Sequence, residues 1–260
     1  MKVRRGYILL ALLGGLLWAG DVAQRWVYLH RLPQVSARQV QGHGSLTRAV
    51  LVAGQGLDGA ETATSVRDVA AASRRLRAVT AGQVEVESLL PGGDGYGTAR
   101  ALEAVASSRC DHLVVYLTGH GGGRNFGAVG GLNLRREAFV QALTQASFSR
   151  ATVVIDCCWS GEFGRSLEGA AFPGPVTLVT STDAHHPSPF PVSFLSPWSY
   201  GRGFFELWDG GEASEAFAAT NASRRRLRWL FSPEFGLEGE LRESKPGPVS
   251  VGSGSRESAR

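Results

Sequence analysis

Cysteine is scarce: the 260 residues hold three, Cys110, Cys157 and Cys158. An odd and small number excludes a disulfide framework. Cys157 and Cys158 are adjacent, and the eight-membered ring that would join them strains the peptide, so both are expected as thiols. Charge is sparse too, at 19% against 43% hydrophobic residues, which excludes wholesale disorder and suits a packed core. The net charge is only +4. Its densest run, Arg224-Arg225-Arg226-Leu227-Arg228, reads as the solvated face of a helix, so nucleic acid is not an expected partner. No fixed-period repeat is present.

A run of apolar residues long enough to cross a bilayer squarely is also missing. The longest uncharged apolar stretch, YILLALLGGLLWAG at residues 7–20, makes about 21 Å of helix against a hydrocarbon core of about 30 Å. It follows Lys2, Arg4 and Arg5, the layout of a signal sequence. Cleavage after Ala19 or Ala23 would put Leu17 or Asp21 where a small residue belongs. An uncleaved signal-anchor is therefore preferred to a cleaved signal peptide. By the positive-inside rule the remainder is exported, although Arg25 and Arg31 beyond the segment oppose that orientation. The expected location is membrane-anchored or periplasmic. The composition, rich in Ala, Arg and Gly, suggests a bacterial source.

Several familiar chemistries lack their motifs. A phosphatase loop needs C-x5-R, and the interval from Cys158 to Arg165 is one residue too long. The G-x-S-x-G elbow of serine hydrolases is not formed around Ser160. Structural zinc uses spaced ligand pairs, whereas Cys157-Cys158 and His185-His186 are adjacent and project oppositely on an extended chain. No metal or cofactor is expected.

What is present is an alternation of strand and helix. Apolar strand-like runs occur at Ala49–Ala53, Val84–Leu90, Leu113–Leu117, Thr152–Ile155 and Val176–Thr180. Helical segments occur at Glu61–Val79, Thr98–Ser108 with Thr98 as a cap, Arg135–Ala146, Gly203–Trp208 and Ala213–Leu230. Short continuous apolar strands between helices predict an α/β fold with a mainly parallel sheet covered on both faces. The predicted organisation is residues 1–23 as signal or anchor, 24–45 as linker, 46–242 as one folded domain and 243–260 as a disordered tail rich in Ser, Gly and Pro.

Two of these strands end alike. LVVYL runs into Thr118-Gly119-His120-Gly121-Gly122-Gly123, and TVVID into Cys157-Cys158-Trp159-Ser160-Gly161. In open parallel sheets function collects at the carboxyl ends of strands. A thiol and an imidazole brought together there suit acyl transfer, with backbone N–H groups of Gly121 and Cys158 as oxyanion donors. A lone His-Gly or a lone buried Cys carries little weight; the pair, with its shared grammar, carries more.

The paired stretches HLVVYLTGHGGG and TVVIDCCWSGEF resemble the clan CD, caspase-like cysteine peptidases. They are most similar to the legumain and GPI-anchor transamidase catalytic-subunit branch, with the Asp–x–Cys–x–Ser–Gly pattern of metacaspases. The resemblance spans roughly residues 48–230. It implies a caspase-like three-layer sandwich with about six strands, and a cysteine endopeptidase acting on protein or peptide substrates through a thioester acyl-enzyme. His120 would be the catalytic histidine and Cys158 the nucleophile, with Asp156, Ser181, Thr182 and Asp183 contacting substrate. Asp156 would face a basic side chain. Trp159 departs from the pattern, where relatives carry a polar residue. A transamidase of the same chemistry, or a catalytically silent interaction module, are the alternative readings. The Pro-rich stretch HHPSPFPVSFLSPW reads either as a solvated loop or as a lid carrying Phe190, Phe194 and Trp198.

Overall fold

The structure, a computed structural model, describes residues 46–81, 83–189, 199–226 and 234–246. Its elements run β1 (Thr47–Ala53), α1 (Gly59–Val79), β2 (Val84–Leu89), α2 (Thr98–Ala106), β3 (Arg109–Thr118), β4 (Gly121–Gly122), β5 (Asn125–Val129), β6 (Leu132–Arg135) and α3 (Arg136–Gln145). They continue through β7 (Ser147–Asp156), α4 (Gly161–Leu167), β8 (Val176–Thr180), α5 (Tyr200–Leu207), α6 (Ala213–Arg226) and β9 (Leu241–Ser244).

One six-stranded sheet runs in the order β2-β1-β3-β7-β8-β9, parallel except at β9. Its strands are continuous apolar runs because both faces are covered. Alternate residues divide between two cores, as the period of two requires. Val50, Val52, Val115, Leu117, Val153 and Ile155 meet α2, α3, α4 and the small β4–β6 sheet. Leu51, Val114, Tyr116, Val154 and Val179 meet α1, α5 and α6, with Phe204, Phe205 and Trp208 stacked edge to face. The result is the three-layer α/β sandwich that the strand–helix alternation predicted.

Three features were not read from the sequence. The antiparallel sheet β4-β5-β6 follows β3 directly. Thr98 does not cap α2: Gly97 occupies the cap position, and the Thr98 hydroxyl accepts the Asn133 N–H at 2.7 Å. Residues 243–246, expected within a disordered tail, are instead ordered, because β9 pairs antiparallel with β8 and Pro246 bridges to Phe172; the rest of that expected tail lies outside the described residues. That pairing covers what would otherwise be an open sheet edge. Among the described residues no helix is long and apolar enough to cross a membrane. The signal-anchor and linker expectations lie outside the described residues.

Candidate functional site

The strand order reverses between β1 and β3: the chain leaves β1 for β2 on one side, then crosses to β3 on the other. A crevice opens at such a point, at the carboxyl ends of the strands. β3 and β7 are also neighbours in matched register, with Thr118 opposite Asp156. His120 and Cys158 each lie two residues past that pair. Their parity matches Tyr116 and Val154, which face α1, and the bond from His120 to Glu61 puts the imidazole on that α1 side. Their chain neighbours Gly121 and Cys157 fall together on the opposite side.

The His120 Nε2 lies 2.8 Å from Glu61 Oε2. Glu61 sits in the first turn of α1, and its Oε2 also accepts the Leu57 N–H at 2.7 Å. This carboxylate, only 13% exposed, fixes the imidazole's orientation. Sequence reasoning missed Glu61, since it lies far from both motifs in the chain. The available signal was its place just after the first strand, at the end of the sheet where the motifs also meet.

Gly121 packs against Cys157. An added Cβ there would stand 2.4 Å from Cys157 Sγ and 2.8 Å from its Cβ. The absent side chain thus has a packing cause as well as the expected one of backbone access. Gly127 donates its N–H to His120 O at 2.8 Å, so residues 120 and 127 form the hydrogen-bonded pair of the β4–β5 ladder. Gly121, opposite Phe126, is the next, non-hydrogen-bonded position, so its N–H points away from β5.

The two thiols have different surroundings. Cys157 is buried, and burial, with the charges of Cys158 and Asp156 acting the same way, pushes its thiol well above the ordinary range. Cys158 is partly exposed, with Sγ 3.6 Å from the Ser188 carbonyl. Burial pushes its thiol up as well, so at rest the thiol holds its proton. Trp159 follows with φ 54, a left-handed conformation unusual for a bulky residue. Its N–H donates to His186 O at 3.2 Å, and α4 begins two residues later.

The remaining expected substrate contacts have structural tasks. Asp156 is buried and accepts the Gly201 N–H at 2.7 Å, tying β7 to the start of α5. Burial pushes its carboxyl up, opposed by the Arg224 guanidinium and by the Gly201 N–H. Ser181 and Thr182 are fully buried. The Ser181 hydroxyl donates to Cys157 O at 3.3 Å and the Thr182 hydroxyl to His186 O at 3.1 Å. Both backbone N–H groups donate to Ser160 Oγ. These three residues therefore lie beneath the site rather than on its surface, contrary to the expectation of direct contact. Asp183 is half-buried and accepts from His185 N, His186 N and His186 Nδ1, which closes a tight turn. Burial would raise its carboxyl, but the hydrogen bonds from His185 and His186 outweigh that and hold it low. The proposed lid residues Phe190, Phe194 and Trp198 lie outside the described residues.

No family model and no curated protein matches this chain. Among solved structures 188 chains are similar to it. One is the crystal structure of protein GSU0716 from Geobacter sulfurreducens, with a TM-score of 0.51 and 12% identity. That likeness covers 79% of this chain and 95% of that one. It concerns the fold alone.

Proposed function

We propose that this chain is a cysteine peptidase of caspase-like build. Cys158 attacks the scissile carbonyl of a peptide, and its proton passes to His120, which delivers it to the departing amine. The C–N bond breaks as the thioester forms, and water, deprotonated by His120, then hydrolyses the thioester and regenerates the thiol. The N–H groups of Gly121 and Cys158 serve the oxyanion. Glu61 acts through His120 as a positioning residue, since it bonds the imidazole at Nε2 and fixes the plane of the ring. The single observation that carries this reading is the matched register of β3 and β7, with His120 and Cys158 at equal steps beyond it and the imidazole held by Glu61. The apolar N-terminal segment suits an exported or anchored enzyme.

The test is turnover by the full-length protein of a peptide panel bearing Arg, Lys, Asn or Asp before the scissile bond. Cys158→Ala and His120→Ala should abolish it. Glu61→Gln should lower kcat by about 100-fold, the cost of a misplaced reacting group. Turnover that survives Cys158→Ala would remove the proposal.

A further inference from the structure

One residue along the chain from Cys158, at Trp159, the surface opens into a cleft of about 710 Å³. The chain directly after His120 supplies one wall, through Gly122, Gly123 and Arg124; Trp159, Glu162 and Arg136 supply the other. We propose that this cleft receives the leaving-group side of the substrate and selects an acidic side chain there. The inference rests on the peptidase reading.

The direction follows from the chemistry. The histidine protonates the departing amine, so the amine lies on the histidine's side of the thiol. The residues after the amine then run along the chain that follows His120, which is the cleft wall. That wall is kept clear. A Cβ added at Gly122 would meet nothing within 4 Å, whereas one at Gly123, at φ 51, would touch Glu162 Cγ at 3.5 Å. The opposite rim carries Trp159, 38% exposed. Its left-handed backbone costs about 1–2 kcal/mol, and strain of this kind gathers at ligand sites.

The charge preference follows from the ion pairs. Glu162 is matched twice, by Arg136 at 3.1 Å and Arg165 at 3.3 Å. Arg124 is exposed, and its guanidinium makes no ion pair or hydrogen bond among the described residues. The spare charge of the cleft is therefore a cation. A carboxylate one or two residues after the scissile bond meets it, and an exposed pair of this kind favours Glu over Ala by about two- to fivefold.

The experiment uses quenched peptides that share the acyl-side residues chosen by the panel and carry Ala, Glu or Lys in the first two leaving positions. In parallel, Cys158 is alkylated by a peptidyl chloromethyl ketone, which leaves only chloride on the departing side. The expected order of kcat/KM is Glu, then Ala, then Lys, and Arg124→Glu should reverse it. Gly122→Val, whose side chain enters the open cleft, should lower peptide turnover at least about tenfold more than it lowers alkylation, the effect of a misplaced substrate. A wild type indifferent to the leaving-side charge, an unchanged order in Arg124→Glu, or equal losses of turnover and alkylation in Gly122→Val would each overturn the inference. A wild type that neither cleaves nor is alkylated would fail the peptidase reading itself, and the inference with it.

Discussion

Gly121→Ala tests the packing that holds the two strand ends together. The new Cβ would lie 2.4 Å from Cys157 Sγ, 2.8 Å from Cys157 Cβ and 3.4 Å from Asn125 O. Cys157 cannot swing aside cheaply, because its side chain is 2% exposed and belongs to the core beneath α4. The backbone at residue 121 has ordinary φ, so the cost is packing rather than conformational strain. Overpacking of this kind costs about 1–3 kcal/mol, or roughly 2–4 °C in Tm per kcal/mol for a chain of this size. Cys157→Gly deletes both clashing atoms. Alone it should destabilise by about 1–2 kcal/mol through a small cavity and a looser backbone. In that background Gly121→Ala should cost almost nothing, giving a coupling of about 1–3 kcal/mol in a double-mutant cycle read by urea unfolding. Additive effects in the cycle, or a Gly121→Ala protein as stable as the wild type, would refute the contact.

Other expectations follow from buried ionisable groups and from the strained turn. Asp68 is pushed up to about 7, mainly by burial and also by the Asp156 charge, with the Ser199 hydrogen bond opposing. Between its ordinary value and about 7 the folded protein keeps a proton that the unfolded chain has lost, so this residue's contribution falls as pH rises through that window. Asp68→Asn should therefore be more stable than the wild type near pH 8, by on the order of 3 kcal/mol, with the gap closing toward pH 4; parallel stability curves would contradict it. His112 is pushed down to about 3 by burial, with the Arg150 charge adding to it. Its contribution is complete above the ordinary imidazole value and is lost as pH falls from there toward about 3, and His112→Gln should flatten that acid limb in chemical denaturation. Iodoacetamide should modify Cys158 before Cys157, with a rate still rising above about pH 8.5, the value of a free thiol; mass mapping of the labelled peptides decides this. Trp159→Gly should relieve the left-handed backbone and leave unfolding stability within about 1 kcal/mol of the wild type, while removing one rim of the cleft and lowering turnover of extended peptides.

The sheet was legible because its strands have no competing pattern. Thr152–Ile155 and Val176–Thr180 are short apolar runs between helices, and such runs suit a doubly covered parallel strand. The alternation also fixed which strand ends would carry His120 and Cys158. What escaped depended on contacts between distant parts of the chain. Glu61 reads as an ordinary acidic residue in a first helical turn until β1 and β3 are placed side by side. Asp156, Ser181 and Thr182 were assigned to substrate through the family resemblance, and a linear pattern does not reveal which side of a sheet end is closed by α5. Residues 121–135 are rich in glycine and short in apolar alternation, so the β4–β6 sheet leaves little trace. β9 was hidden by the polar composition of LRES, which an edge strand tolerates.

The adjacent cysteines make sense as a consequence of strand parity. Consecutive side chains at the end of β7 go to opposite sides of the sheet. The first must fill the space under Gly121, and the second emerges beside the crevice. Packing at 157 asks for a small apolar side chain, and Cys meets that need without chemistry, since its thiol is buried and its ionisation suppressed. Position 158 has the reverse demands: partial exposure, a neighbour in register with His120, and a chain that turns away at once. The left-handed Trp159 supplies that turn. Exchanging the roles separates the two. Cys157→Ala should keep peptide turnover within about tenfold of the wild type, because it removes only a packing atom beneath the site, whereas Cys158→Ser with Cys157 intact should lose turnover entirely. Activity retained by Cys158→Ser and lost with Cys157→Ala would place the nucleophile on the wrong side of the sheet, and with it the parity argument on which the site is built.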